Sequence, residues 1–108
     1  MKSKSYAALV LAGTLAFTGA ARAESAQGLA LAQKQNCMSC HSVTRQFMGP
    51  SLHDVAAKYA TRSDAVVYLT RKITEGSAGV WGPVPMPANT QVTPAEAETL
   101  AKWVLTIK

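Results

Sequence analysis

Apolar residues along this chain recur at helical spacing and nowhere alternate with period two over a useful length, so the pattern predicts helices and no sheet. The first block, Tyr6 to Ala20, is apolar without a single charge. A helix is then predicted from Glu24 or Ser25 through Gly28, Leu29 and Ala32 to Asn36. Gly28 costs it about 1 kcal/mol relative to alanine, which points to a backbone or ring passing close there. An irregular loop through Gly49-Pro50 follows, uncharged between Arg45 and Asp54. A short helix over His53 to Tyr59 comes next. Asp64 stands where it can cap a further helix whose apolar positions Val66, Val67, Leu69 and Ile73 fit a 3.6-residue period, with Gly76 as its stop.

From Gly76 to Asn89 three glycines and three prolines make a loop with fixed bends. The last helix has the clearest start. Thr93-Pro94-Ala95-Glu96 places a hydroxyl at the N-cap, proline at the first helical position and a carboxylate three residues after the cap, a capping box. Its buried stripe is expected to be Ala97, Leu100, Ala101 and Val104, with Trp103 on the flank. It should cross the first helix near Gly28, with Trp103 or Leu100 over the gap. No repeat or linker suggests a second domain.

Composition changes this picture at the N-terminus. Lys2 and Lys4, the uncharged stretch and Ala21-Arg22-Ala23 together resemble a secretory signal peptide over residues 1–23, cleaved after Ala23. A membrane anchor is the alternative, but 15 apolar residues fall short of the ~20 that span a bilayer. Residues 24–108 would then form one small domain with eight basic against six acidic residues. The basic balance of the full chain therefore belongs largely to its leader and argues for no nucleic-acid partner. A domain of this size is short of core, so a bound cofactor would be expected to act as its largest hydrophobic group.

The candidate chemistry lies in Cys37-Met38-Ser39-Cys40-His41. Cys-X-X-Cys-His is the attachment signal for c-type haem: each thiol adds across a haem vinyl group and the histidine ligates the iron. Residues three apart on a helical turn share a face, so Cys37 and Cys40 can hold the ring while His41 presents its imidazole. A redox dithiol would expect a strand and a βαβ pattern around the motif, which is not visible. A structural zinc site would lack a donor, since His53 is the only other histidine or cysteine.

The sixth ligand decides the function. With an open position the iron would bind oxygen, carbon monoxide or peroxide, giving a haem-based peroxidase or gas-binding protein; with a thioether it carries single electrons. Met1 leaves with the leader, Met38 sits inside the motif, and Met48 lies only seven residues past His41. Met86, 45 residues past His41, has chain enough to return to the opposite face. Pro85 and Pro87 stiffen it by fixing φ on both sides.

The chain resembles the small bacterial class I cytochromes c, the short periplasmic group that delivers electrons to nitrite reductase and terminal oxidases. The resemblance spans nearly all of residues 24–108. It is carried by Cys37 to His41, Gly49-Pro50, Asp54 to Tyr59, Gly76 to Asn89 with Val80-Trp81-Gly82-Pro83, and Leu100 to Leu105. It implies an all-α class I cytochrome c fold, four to five short helices around one covalently bound haem c, and an electron carrier, not an enzyme. It also implies that the Pro50 carbonyl accepts the Nδ1 proton of His41, that Trp81 hydrogen-bonds a propionate, and that the Asn89 amide touches the axial methionine region. Lys72 stands where the family often has arginine near a propionate, a point charge in place of a bidentate fork.

The haem edge is expected to be ringed by Met38, Phe47, Met48, Pro83, Val84, Pro85, Pro87 and Ala88. These would form a small apolar docking patch bounded by lysines, for brief encounters with a cytochrome bc1-type or other donor and with the acceptor. A periplasmic monomer with no stable membrane insertion after cleavage is expected, with His53 facing solvent.

Overall fold

The computed structural model describes residues 2, 3, 13 and 18–108. Most of the expected leader therefore lies outside the described residues. Four helices follow in order: α1 (Thr18–Lys34), α2 (Leu52–Tyr59), α3 (Ala65–Glu75) and α4 (Pro94–Val104), with a 3₁₀ turn at Cys37–Ser39 between α1 and α2. Among the described residues there is no strand, only an isolated antiparallel bridge between Ser77 and Met86. The architecture is all-α, as expected.

Helix α1 begins at Thr18, well before the expected start at Glu24 or Ser25. Ala20, Ala21, Arg22 and Ala23 are good helix formers and nothing between them breaks the backbone. Residues 22–27 are exposed, so this part rests on local propensity, and packing begins at Gly28. The helix also stops two residues short of the expected Asn36. That asparagine adopts φ 63, the left-handed conformation Asn tolerates better than most residues, and turns the chain into the 3₁₀ segment.

Helix α2 starts at Leu52, one residue earlier than expected, because the buried Ser51 caps it by accepting from the Asp54 amide at 3.1 Å. At α3 the expected cap is not made. Asp64 occupies the N-cap position, but its carboxylate accepts from the Arg62 guanidinium, 3.2 Å from Nη2, and caps no amide. Leu69 is buried and Val66 and Ile73 pack against the core, whereas Val67 is 65% exposed. One residue past Val66 is a 100° turn away on a helix, which carries Val67 off the stripe.

Helix α4 is built as predicted. The Glu96 amide donates to Thr93 Oγ1 and the Thr93 amide to Glu96 Oε1, each at 3.1 Å. Ala97, Leu100, Ala101, Trp103 and Val104 are all buried. The helix packs on both α3 and α1. At its crossing with α1 a methyl group on Gly28 would overlap the Trp103 indole and come within 2.7 Å of its Cβ. Glycine is required there because the ring fills the space a side chain would take. Around this crossing Ala32, Leu52, Val55, Tyr59, Leu69, Leu100 and Val104 close the core. No helix among the described residues is long and apolar enough to cross a membrane.

Candidate functional site

The end of α1 delivers the chain into the Cys37–Ser39 turn, where the Cys37 carbonyl accepts from the amides of both Cys40 (3.3 Å) and His41 (3.0 Å). The i to i+3 spacing of the cysteines is thus realised on a 3₁₀ turn instead of an α-helical one. Both thiols are free and half-buried, and burial pushes the Cys37 thiol above its ordinary pKa. His41 Nδ1 lies 2.7 Å from the Pro50 carbonyl oxygen. A carbonyl only accepts, so Nδ1 carries the proton and Nε2 keeps its lone pair.

Residues 46–50 fold back onto that imidazole. The Gly49 amide donates to the Cys40 carbonyl at 2.8 Å. A methyl group on Gly49 would sit 2.7 Å from His41 Cε1 and 3.0 Å from Nδ1. Amides of Leu52 and His53 then bond back to the carbonyls of Ser42 and Val43, at 2.9 and 3.0 Å, and tie the motif to the start of α2.

Met86 is held by different means. Gly76 ends α3 at φ 78, and a Cβ there would lie 2.5 Å from the Met86 carbonyl oxygen and 2.8 Å from the Ala88 nitrogen. The next residue, Ser77, exchanges both backbone hydrogen bonds with Met86, at 3.0 and 2.9 Å. Downstream, the Asn89 amide nitrogens of backbone and side chain both donate to the Ile73 carbonyl, at 3.1 and 2.9 Å. The loop is therefore laid along the end of α3 by main-chain contacts.

Between the two segments lies a cavity of about 340 Å³. Its walls are mostly apolar, with Leu52, Val55, Leu69, Ile73, Pro85 and Val104 prominent. His41, Cys40, Pro50, Lys72, Trp81 and Met86 all line it; Cys37 and Asn89 do not. Two further residues line the cavity: Tyr59, which the sequence places in the Asp54 to Tyr59 stretch without a site role although it follows Leu52, Val55 and Ala56 at helical spacing, and Tyr68, which the sequence does not single out. Their rings are 5.0 Å apart, and Trp81 meets Tyr59 edge-on at 6.3 Å. Burial first, and then the neighbouring Tyr68, push the Tyr59 phenol up to about 12.

Cations fringe the aromatic wall: Lys58 Nζ is 4.4 Å from the Trp81 ring centre, and Arg62 and Lys72 lie 3.8 and 5.1 Å from that of Tyr68. These residues fit a haem. An apolar slot suits the ring, a thioether and an imidazole with a free Nε2 lone pair suit the iron, and Lys72 in the cavity wall suits an anionic propionate. Among the described residues no group of three or more His, Cys, Asp or Glu is placed to hold a bare metal ion.

Known proteins resemble this chain over most of its length. The Cytochrome c family model matches residues 25–108. The chain is 44% identical to cytochrome c-551 of Pseudomonas aeruginosa over 108 residues, the full length of both. It is 54% identical to cytochrome c-552 of Nitrosomonas europaea over 78 residues, 72% of this chain and 76% of that protein. The crystal structure of wild-type Nitrosomonas europaea cytochrome c552 superposes with a TM-score of 0.73 at 52% identity, covering 74% of this chain and 99% of that one.

Proposed function

The chain belongs to the cytochrome c family, and from that premise we propose that it is a periplasmic single-electron carrier whose axial ligands are His41 and Met86. The family binds covalently attached haem c, and Cys37 and Cys40 stand at the spacing that attachment needs. It is an electron-transfer protein, not an enzyme. The observation that supports the ligand assignment is that one apolar cavity has His41 and Met86 among its walls, each on a separately anchored segment.

When bound, haem c supplies an iron that gains and loses one electron. His41, its Nδ1 proton committed to Pro50, offers Nε2 as a strengthened donor in a fixed orientation. With its sulfur on the iron, Met86 would favour the reduced state and raise the potential, and the apolar lining would keep water away. Trp81 and Lys72 are proposed to hold propionates, with Lys58 as a further cation on that side. Asn89, which donates to the Ile73 carbonyl, is proposed to fix the loop carrying Met86.

The Met86→Ala holoprotein is expected to lose the weak long-wavelength sulfur-to-ferric-iron band and to show a lower midpoint potential. An unchanged spectrum and potential would overturn the ligand assignment.

Redox partners are proposed to dock on the exposed residues Phe47, Met48, Pro83, Val84, Pro85 and Pro87. A nitrite reductase or terminal oxidase would accept electrons there, and an upstream cytochrome would deliver them. Val84→Lys should slow transfer to such an acceptor while leaving the spectrum intact; equal rates would remove the patch. Residues 1–23 are proposed to be a signal peptide cleaved before a monomeric domain at 24–108, which N-terminal sequencing of the exported protein checks.

A further inference from the structure

We propose that Gln91 is a positioning residue whose side-chain amide staples the segment carrying Met86 to the end of α1 that leads into Cys37–His41. The proposal rests on the reading of Met86 as an axial ligand.

The last carbonyls of a helix have no partner within it. Just past the end of α1, the Gln35 carbonyl accepts from Gln91 Nε2 at 3.2 Å. Gln35 stands two residues before Cys37 and Gln91 five after Met86, so one hydrogen bond joins the two segments across 56 residues of sequence. The Gln35 end is a firm anchor. Its side chain is buried, at 9% exposure, and donates to Glu96 Oε2 at 3.2 Å, on the same carboxylate that completes the capping box of α4.

The Gln91 end is anchored by the ligand loop. Gln91 Nε2 also lies 3.4 Å from Asn89 Oδ1, and Asn89 Nδ2 donates to the Ile73 carbonyl at 2.9 Å. The Gln91 amide therefore ties the end of α1 to the stretch that returns from Met86, and Asn89, which it also touches, ties that stretch to the last turn of α3. Ser77 and Gly76 hold the loop from one side only, along α3. Gln91 supplies the hold toward the histidine side.

An external ligand can replace a thioether only in the fraction of molecules whose loop has moved away, so its apparent affinity reports how firmly the loop is held. The test measures imidazole binding to the ferric holoprotein, beside thermal unfolding, in the wild type, Gln91→Leu and Gln91→Lys. Leucine removes the donor; lysine keeps one for the Gln35 carbonyl. Imidazole is expected to bind roughly three- to tenfold more tightly to Gln91→Leu, the range set by one hydrogen bond, and near the wild-type value to Gln91→Lys.

If both variants bind imidazole like the wild type, whatever their melting temperatures, Gln91 is no more than a helix cap and the proposal is overturned. The same holds if lysine fails to restore the wild-type value. A wild-type ferric protein lacking the sulfur-to-iron band would overturn the Met86 assignment, and the staple with it.

Discussion

The histidine and methionine sides of the cavity are held by opposite means. His41 is fixed within nine residues: its Nδ1–H donates to the Pro50 carbonyl, Gly49 packs on its ring, and the Cys37 carbonyl gathers the turn beneath it. Met86 has one neighbour equally near in sequence, Ser77 for its backbone, but its loop also depends on more distant partners, Ile73 for Asn89 and Gln35 for Gln91. A site can thus combine one donor that the local chain orients with another that only the finished fold brings to it. The first should survive damage to the scaffold that releases the second.

The strongest way to break this contrast removes what fills the space between the two sides. Cys37→Ala with Cys40→Ala abolishes covalent attachment, and once the haem is extracted the apolar walls of the cavity lose the group they pack on. A cofactor that binds only the folded state contributes its binding energy to folding, so both sides should fail together. Loss of a cooperative thermal transition in far-ultraviolet circular dichroism checks it; a sharp melt in the cofactor-free variant would contradict it.

Gly76→Val should strike the methionine side alone. The positive φ at this position disfavours a valine, and a Cβ there meets the Met86 carbonyl at 2.5 Å, together worth about 2–4 kcal/mol. The sulfur-to-iron band should vanish while thioether attachment persists, as read by absorbance and by mass.

Gly49→Ala should do the converse, at about 1–3 kcal/mol, by pressing on the imidazole 2.7 Å away. The ring resonances of His41 in the nuclear magnetic resonance spectrum should shift more than the Met86 methyl resonance. The reverse order would show that the two sides are not independently held.

The smallest effect concerns the scaffold common to both. Hydrogen bonds from the Thr93 backbone and hydroxyl, then from Gln35, hold the Glu96 carboxyl below the usual carboxylate range. A depressed folded-state pKa stabilises the protein above the unfolded value, near 4.3, and that stability is lost as pH falls through the folded value. Unfolding of Glu96→Gln, followed from pH 7 to 3, should therefore show a shallower acid limb than the wild type. Identical limbs would exclude the capping carboxylate as a contributor.

The same contrast explains which features the chain discloses by itself. Contacts within a few residues were legible: the Thr93–Glu96 box, the stop at Gly76 and the stripe from Ala97 to Val104. Gly28 announced a close neighbour because glycine inside a helix needs a reason, and Trp103 supplies it. Resemblance singled out Trp81 and Lys72 as propionate partners; both stand in the cavity wall. What escaped depends on competition or on long-range geometry. Asp64 had two possible partners and took Arg62, Val67 missed the stripe by one position, and α1 ran on toward the leader where no breaker stood. The Ser77–Met86 pair and the Gln35–Gln91 bond leave no periodic trace, since main-chain pairing is indifferent to side chain and a single amide has no pattern.

The clasp of Gly28 and Trp103 joins residues 75 apart in the sequence. Closing so long a loop costs entropy before any packing rewards it, so docking of the first helix on the last should govern the speed of folding. Trp103→Phe should then slow refolding more than it hastens unfolding in a stopped-flow experiment; a variant that merely unfolded faster would place the barrier elsewhere.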